Sequence, residues 1–396
     1  MSMSINQHFS PGRLLQFALP SIIMMMFMSL YTIVDGIFIS RFIGSNALSS
    51  LNIVFPVICI VTAIGTMLAT GGNAIISKYL GEGKRREAKE CLTMFVVIGV
   101  AVSIVVLIFT HLFLTPVCYF LGSNEVLLAD CEKYLATAIS FAPACMLQSL
   151  FQSYLVTAEK PHLGLFLTIG AGILNAFLDY FLIAVCRLGM TGAALATGIG
   201  QTVPALAGLL FFLSNKKGLR LVRFHFRPKE LLMACYNGSS EMVTQLANAI
   251  ITFLFNIVMM KLAGGPGVAA ITILLYGQFL FNAFYLGFTI GISPLVGFQY
   301  GAKNHRELKN IYQIAFVFTA ISSVILTIAA VVSAGPLVQI FTHDPETFAL
   351  AFHCLRSISC SAGSISLPPA FSQHSLMEKS LRSFPSAGHW YSSRFP

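Results

Sequence analysis

Residues 14–40 read LLQFALPSIIMMMFMSLYTIVDGIFIS, an apolar stretch long enough to cross a lipid bilayer as one α-helix, since about 20 helical residues span roughly 30 Å of hydrocarbon. Its one charged side chain is a carboxylate, Asp35. An ionised Asp in the middle of a bilayer costs about 2.5–3.5 kcal/mol on insertion scales, and intramembrane carboxylates therefore favour a functional role. The stretch predicts a first transmembrane helix that carries a functional acidic group.

A second carboxylate, Asp179, lies in another apolar stretch at similar depth. Tyr31 precedes Asp35 by four residues, and Asn175 precedes Asp179 by four. In a helix this spacing places each polar pair on one face, one turn apart. We therefore expect Asp35 and Asp179 to share one cavity. The alternative interpretation is a structural hydrogen bond between two helices.

The composition indicates an integral membrane protein. Of the 396 residues, 56% are hydrophobic and only 10% are charged, against roughly 25% charged residues in a soluble domain. The apolar runs are continuous and much longer than the alternating segments of about ten residues that form membrane barrels, which predicts helices. The nine cysteines are scattered without a C-x-x-C pair, so we interpret them as packing residues rather than disulfides or metal ligands. The N-terminal segment has no signal-peptide pattern, and the first span is expected to remain in the mature protein.

Apolar segments alternate with short polar loops along the chain. We predict spans near 14–39, 47–79, 91–115, 127–157, 162–185, 190–214, 236–260, 267–299, 311–334 and 346–365. Prolines at positions 20, 56, 143, 204 and 294 interrupt helical stretches and predict bending points. Basic residues concentrate in the loops 81–90, 158–161, 215–230 and 300–310. By the positive-inside rule these loops and the N-terminus are cytoplasmic, and the net charge of +9 then indicates topology rather than a nucleic-acid partner.

The chain repeats itself at a shift of 220 residues, since GEGKRREAK at 81–89 aligns with GAKNHRELK at 301–309. Six spans fit within one period, and an even number means that both halves cross the membrane in the same direction, as in the parallel repeats of many transporters. The predicted fold is thus an all-α membrane protein with two pseudo-symmetric six-helix lobes, the second incomplete. The expected domains are an N-terminal lobe at 1–214, a cytoplasmic basic linker at 215–235, a partial C-terminal lobe of about four helices at 236–356 and a polar tail at 357–396.

The tail differs from the segment that the repeat predicts. Serine, proline and basic residues dominate positions 357–396, where the matching N-terminal segment is apolar. The favoured interpretation is a reading frame lost near 357–368, with two spans missing. The alternative is a natural short variant with a disordered tail.

These motifs resemble the multidrug and toxic compound extrusion (MATE) family. The resemblance rests on ALPSIIMMMFMSLYTIVDGIFISRFIG, on GGNAIISKYLGEGKRREAKE and on the corresponding stretch of the second repeat, GISPLVGFQYGAKNHRELKN. It implies twelve helices in two lobes and the export of cationic or amphipathic compounds in exchange for Na⁺ or H⁺. In one branch of the family, the resemblance places a cation or proton site in the N-terminal lobe, at the residues that match here Tyr31, Asp35, Asn175, Asp179 and Thr197.

Other polar residues in the spans are weaker candidates for a second coupling or substrate site. Other branches of the family use a carboxylate where this chain has Glu241, but an acidic residue there would also favour the start of its helix. The remaining candidates either face a substrate cavity or bridge helices: Gln148, Gln152, Gln278 and Asn282.

The leading hypothesis is an ion-coupled exporter in the cell membrane, acting as a monomer on small cationic or amphipathic substrates. We expect no cofactor other than the coupling ion, Na⁺ or H⁺, with Na⁺ a candidate ligand of Asp35 and Asp179. A flippase for lipid-linked saccharides is a second hypothesis, because related folds move lipids. A membrane-embedded lipid transferase is disfavoured, since such chemistry usually needs clustered carboxylates that hold Mg²⁺. Asp35 and Asp179 each stand alone in their spans.

Overall fold

The computed structural model describes residues 8–43, 45–123, 125–216 and 218–341. Within these ranges the chain is helical and contains no strand. The helices are α1 (Pro11–Phe42), α2 (Ser45–Gly81), α3 (Arg85–Leu112), α4 (Leu114–Phe120), α5 (Glu125–Ser140), α6 (Ala142–Thr157), α7 (Pro161–Asp179), a π-helical segment (Tyr180–Val185), α8 (Gly189–Ser214), α9 (Pro228–Gly301) and α10 (His305–Phe341).

Seven segments of the described helices are long and apolar enough to cross a membrane, or eight if α5 and α6 together form one span. This confirms the prediction of an all-α, multi-pass membrane protein. The predicted span 346–365 and the tail 357–396 lie outside the described residues. The lobe boundaries stay predictions.

The predicted span 127–157 is broken in the structure. Helices α5 and α6 meet at Phe141 with a bend of 51°. Pro143 lies in the first turn of α6, where the missing N–H is tolerated, whereas a continuous helix would lose a backbone hydrogen bond there. The prolines at 20, 56 and 204, by contrast, lie inside helices that continue through them.

The predicted break between spans 236–260 and 267–299 is absent, because α9 runs without interruption from Pro228 to Gly301. The sequence GGPG at 264–267 lies between the two predicted spans and is part of this helix. Glycine and proline lower helix stability by about 1 and 3 kcal/mol per residue. These are penalties that a helix with intact hydrogen bonds on both sides can absorb, so this part of the prediction is wrong.

The chain forms two compact units. Among the described residues, the first comprises 8–250 and 286–308, and the second comprises 251–285 and 309–341. Two apolar cores formed by described residues stabilise the first unit. One joins α2, α3, α6 and α8 and includes Phe95, Phe151 and Phe212. The other surrounds Ile39, Val54 and Tyr134. In the second unit, the rings of Phe284 and Phe318 stack with their centroids 6.1 Å apart.

Residues 215–227 link α8 to α9 and lie against the first unit. The Leu221 N–H donates to the Phe212 carbonyl at 2.9 Å, and the Val222 N–H donates to Thr93 Oγ1 at 3.0 Å. The linker is therefore fixed to the helices that precede it.

Candidate functional site

Helices α1 and α7 pack side by side and in parallel. A Cβ atom added to Gly164 would lie 3.5 Å from Met24 Sδ, and one added to Gly172 would lie 3.3 Å from Tyr31 Cδ1. The contacting positions thus increase in residue number along both helices, which means that α1 and α7 run in the same direction. Asp35 lies four residues beyond Tyr31, and Asp179 lies seven residues beyond Gly172. At 1.5 Å per residue the register therefore brings the two carboxylates to within about one helical turn, roughly 5 Å, of the same level.

The carboxyl groups of Asp35 and Asp179 are close enough to interact directly. Asp179 is fully buried, and Asp35 is half-buried. Yet Asp35 Oδ1 and both Oδ atoms of Asp179 lack a hydrogen-bond partner among the described residues. The structure brings these two residues together, and that they form one site stays a prediction.

Asn175 and Thr197 each contribute one more polar atom to the region around Asp35 and Asp179. Gly200 on α8 approaches α7 so closely that an added Cβ would lie 3.2 Å from Asn175 Cβ, and Thr197 lies just under one turn before Gly200. Asn175 Nδ2 and Thr197 Oγ1 are buried and have no partner in the described part of the chain. A buried polar atom left unpaired costs about 1–3 kcal/mol, so a group of them indicates a place for a ligand or water.

Several buried polar side chains elsewhere in the same unit have hydrogen-bond partners, although Ser21 Oγ has none among the described residues. The Tyr154 hydroxyl donates to the Leu68 carbonyl at 2.9 Å. Gln152 Nε2 donates to Thr168 Oγ1 at 3.2 Å. Thr157 donates to the side-chain oxygen of Asn73. The unpaired atoms are therefore not a general property of this interior.

The backbone changes where Asp179 ends α7. The following residues, Tyr180–Val185, form a π-helix, and π-helical turns occur frequently at functional sites. The hydrophobic pattern of the sequence does not predict this change, because π- and α-helical turns have similar periods.

Gln148 and Gln152 on α6 are both buried. Gln148 lies near the side chain of Tyr31, which is one turn from Asp35. Gln152 joins α6 to α7 through Thr168, and its Nε2 lies 3.0 Å from Met28 Sδ on α1. These contacts favour the bridging interpretation for Gln152.

The weaker candidates lie on α9. Glu241 is half-buried in the first unit, and Asn282 is exposed in the second. The side chain of Gln278 lies outside the described part of the chain. None of these three is placed beside Asp35 and Asp179 by the described contacts.

Tyr134 on α5 was missed by sequence reasoning. It is buried, and both Asp35 and Asp179 act on it electrostatically. It also lines a cavity of about 40 Å³. The other residues that line the cavity are Ile58, Val61, Ala138, Ile139, Ala142, Cys145, Ala194, Thr197, Gly198 and Gln201. No sequence spacing relates Tyr134 to either Asp, and only the packing of α5 reveals it.

The donor set is poor in ligands for transition metals. No group of three or more His, Cys, Asp or Glu side chains that could hold a metal ion occurs in the described ranges. The residues present, two carboxylates with amide and hydroxyl oxygens, suit a hard monovalent cation or a proton.

Curated relatives and solved structures match most of the chain. It is 22% identical over 351 residues to the multidrug export protein MepA of Staphylococcus saprophyticus, covering 84% of this chain and 74% of that protein. It is 23% identical over 358 residues to MepA of Staphylococcus aureus, covering 87% and 76%.

The fold matches a multidrug resistance MATE family transporter of the MOP superfamily, solved in an outward-facing conformation. The TM-score is 0.86 at 19% identity, over 94% of this chain and 85% of that one. A Vibrio cholerae MATE transporter matches with a TM-score of 0.82 at 21% identity, over 93% and 84%. At these identities the likeness shows the fold alone.

The family model described as MatE matches residues 20–181 and 242–374. The first stretch contains Tyr31, Asp35, Asn175 and Asp179, and the two stretches together cover well over half of the chain. With its multi-pass helical fold and this match on both sides of the linker, the chain belongs to the MatE family.

Proposed function

We propose that this chain exports cationic or amphipathic small molecules in exchange for Na⁺ or H⁺, with Asp35 and Asp179 as the coupling-ion site. The observation that carries the proposal is the group of unpaired buried polar atoms on Asp35, Asn175, Asp179 and Thr197. The names of the MepA relatives, which are multidrug export proteins, support a drug-like substrate.

The carboxylate pair explains why the site needs a cation. Two negative charges held close together in a low-dielectric interior repel strongly, so both carboxylates cannot ionise there without a compensating positive charge. A proton on one carboxyl provides that charge, and so does a bound Na⁺. For Na⁺, the ligands would be the two carboxylates with oxygens from Asn175, Thr197 and Tyr31, because hard cations prefer oxygen donors.

The size of the adjoining cavity supports exchange rather than simultaneous binding. A cavity needs roughly 10–15 Å³ for one water molecule, so the cavity of about 40 Å³ has room for an ion with a few waters and not for a drug. A cationic substrate must enlarge the cavity and is attracted by the same negative charge as the coupling ion. Each cation therefore lowers the affinity for the other, and this negative coupling is reciprocal.

The distribution of basic loops supports an orientation. We place the N-terminus and the loops at 81–90, 158–161, 215–230 and 300–310 on the cytoplasmic side of the cell membrane, by the positive-inside rule. Asp35 and Asp179 then lie toward the outer half of α1 and α7. The working unit that we propose is a monomer.

The test is transport by the purified chain in lipid vesicles. Vesicles are loaded with a fluorescent organic cation, and a Na⁺ gradient or a pH gradient is imposed separately. We expect one of the gradients to drive release by the wild-type chain, and Asp35→Asn and Asp179→Asn to abolish it. Glu125→Gln is the matched control, because Glu125 is an exposed carboxylate at the start of α5.

Gradient-driven release that is unchanged in Asp35→Asn would contradict the assignment of the site. Release by the wild-type chain that responds to neither gradient would contradict ion coupling. Elution of each variant as a single species before reconstitution verifies that the substitution leaves the fold intact.

A further inference from the structure

The chain segments that lead into α1 and α9 are each held by a buried carboxylate from a different part of the first unit. The first carboxylate is Glu90 on α3, whose side chain is 4% exposed. Its Oε2 accepts a hydrogen bond from Arg227 Nη2 at 2.9 Å, and its Oε1 accepts one from Arg86 Nε at 3.0 Å. Arg227 is the residue immediately before α9, so Glu90 holds the entry to that helix.

The second carboxylate is Glu307, in the first turn of α10. Its Oε1 accepts a hydrogen bond from the Phe9 backbone N–H at 2.8 Å, and its Oε2 lies 2.6 Å from His8 Nδ1. Phe9 is fully buried, and its ring packs edge-on against Phe17. These residues directly precede α1, so Glu307 holds the entry to that helix.

The helices that carry the two contacts are related by the internal repeat, although the residues are not equivalent, since Glu90 corresponds to Asn310 and Glu307 to Glu87. Helix α3 begins at Arg85 and helix α10 at His305, a separation equal to the repeat of 220 residues. Helix α1 and helix α9 likewise begin their respective repeats. The third predicted span of each repeat, in α3 and in α10, therefore holds the entry to the helix that begins the other repeat. Two unrelated surface ion pairs would not be expected to show this reciprocal arrangement.

The helices beside these contacts meet with the same reciprocity. A Cβ atom on Gly81 would lie 2.0 Å from the carbonyl oxygen of Phe298, and one on Gly301 would lie 2.0 Å from that of Lys78. Gly81 and Gly301 correspond under the repeat, and so do Lys78 and Phe298. The backbones of α2 and α9 are thus in direct contact, without space for a side chain or water.

A second pair of contacts extends this line of close backbone contacts between α9 and the helices α1 and α2, which we call the seam. A Cβ atom on Gly71 would lie 1.9 Å from the Ala234 carbonyl oxygen, and one on Gly291 would lie 2.8 Å from Ala18 Cα. Gly71 and Gly291 also correspond under the repeat. Helix α2 therefore packs on the first turns of α9, and helix α1 packs on its last turns.

Contacts of this kind can separate at low steric cost. Backbones that meet through glycine have no interlocked side chains to withdraw. The partners of the two carboxylates reach water, since the Arg227 side chain is 30% exposed and the His8 side chain is 76% exposed. Both can regain hydration when the contact breaks.

We propose that the Glu90–Arg227 and Glu307–His8 contacts are two reciprocal latches that hold this end of the first unit closed, and that both release when the transporter opens on the side of its basic loops. The proposal rests on the proposed function, because a transporter must expose its binding site to each side in turn. The two latches act on one closed state, so loosening either of them affects the whole seam.

The test measures the exposure of the seam far from the residue that is changed. Ser21 on α1 is buried, its Oγ atom has no partner among the described residues, and its carbonyl would lie 2.7 Å from a Cβ on Gly287. Ser21→Cys is therefore a nearly isosteric probe within the seam. The rate of maleimide alkylation at position 21 is followed by peptide mass spectrometry on the full-length chain in lipid nanodiscs, without substrate or ion gradient.

We expect Glu90→Gln, which alters the latch at α9, to increase the alkylation rate at position 21 on α1 by about tenfold or more, since a hydrogen bond to a charged group shifts an equilibrium by at least that factor. Glu307→Gln should have a similar effect. The two factors should multiply in the double variant, because both contacts stabilise the same closed state. His8→Ala, which removes only an exposed side chain, should give a smaller increase without endangering the fold.

Glu82→Gln is the matched control, because Glu82 pairs with Lys78 and Lys84 of its own helix end and loop. It should leave the alkylation rate unchanged. An unchanged rate in both Glu90→Gln and Glu307→Gln would overturn the proposal. A rate raised by Glu307→Gln alone would show local fraying of the α1 entry, and would overturn it as well. If the alkylation rates change as expected but the chain transports no substrate, the proposed function is overturned and the proposal of the latches is not.

Discussion

Replacement of Gly71 by Ala should destabilise the protein, although alanine is the better helix former. In the structure the new Cβ atom would lie 1.9 Å from the Ala234 carbonyl oxygen and 2.7 Å from its carbonyl carbon. Separations below 3.0 Å are essentially never seen for real Cβ atoms. Helix α2 and the start of α9 must therefore separate by about 1 Å, and such overpacking typically costs about 1–3 kcal/mol.

Gly170→Ala is the matched control for this substitution. Gly170 also lies within a helix, and no atom lies within 4 Å of its added Cβ. It gains the helix propensity of alanine, about 1 kcal/mol, without the clash. Since both variants gain the same propensity, the difference between their free energies of unfolding isolates the packing cost at Gly71, about 1–3 kcal/mol.

The assay is thermal and denaturant unfolding of both variants in the same detergent, followed by intrinsic fluorescence. We expect Gly170→Ala at or above the wild-type midpoint and Gly71→Ala clearly below Gly170→Ala. Equal midpoints for the two variants would refute the close approach of α2 and α9 at Gly71. They would also remove one of the contacts on which the proposed seam depends.

Three further substitutions test other parts of the structure. Gln152→Leu removes the hydrogen bond to Thr168 and should reduce stability by about 0.5–1.5 kcal/mol; unfolding midpoints measure this, and an unchanged midpoint would contradict the bridging role. Glu241→Gln should leave gradient-driven export intact, whereas Asp179→Asn should abolish it; vesicle release rates compare them, and a loss of export in Glu241→Gln would move part of the coupling site to α9. Tyr134→Phe should weaken binding of the coupling ion by up to about tenfold, the equivalent of 1.4 kcal/mol, with little change in stability. Ion titration measures this affinity, and an unchanged affinity would exclude the Tyr134 hydroxyl from the site.

Much of the helical architecture could be predicted, because membrane spans are set by length and hydropathy alone. The span predicted at 14–39 lies inside α1, and that at 47–79 lies inside α2. Breaks were harder to predict. Proline predicts a bend at several positions, but among them a helix ends only just before Pro143, whereas α1, α2 and α8 continue through their prolines. The break predicted between the spans 236–260 and 267–299 is the opposite case, because the structure retains a helix there.

The candidate site was likewise predictable from the sequence only in part. Four-residue spacing predicts that Tyr31 and Asp35 share a helix face, and that Asn175 and Asp179 do, because this is a local property of a helix. That α1 and α7 meet along those faces depends on the close fit at Gly172, which is a property of packing. The contribution of Tyr134 depends on how α5 packs, and no pattern within its own segment indicates it.

Titration of the coupling ion tests most directly whether Asp35 and Asp179 form one site. Calorimetry on the purified chain, with Na⁺ and separately with protons, is compared for Asp35→Asn, Asp179→Asn and the double variant. We expect one ion site per chain, lost in either single variant, with no further loss in the double variant, because residues that act as one unit are not additive. Two binding events that the single variants remove independently, or binding that survives in both, would contradict a shared site.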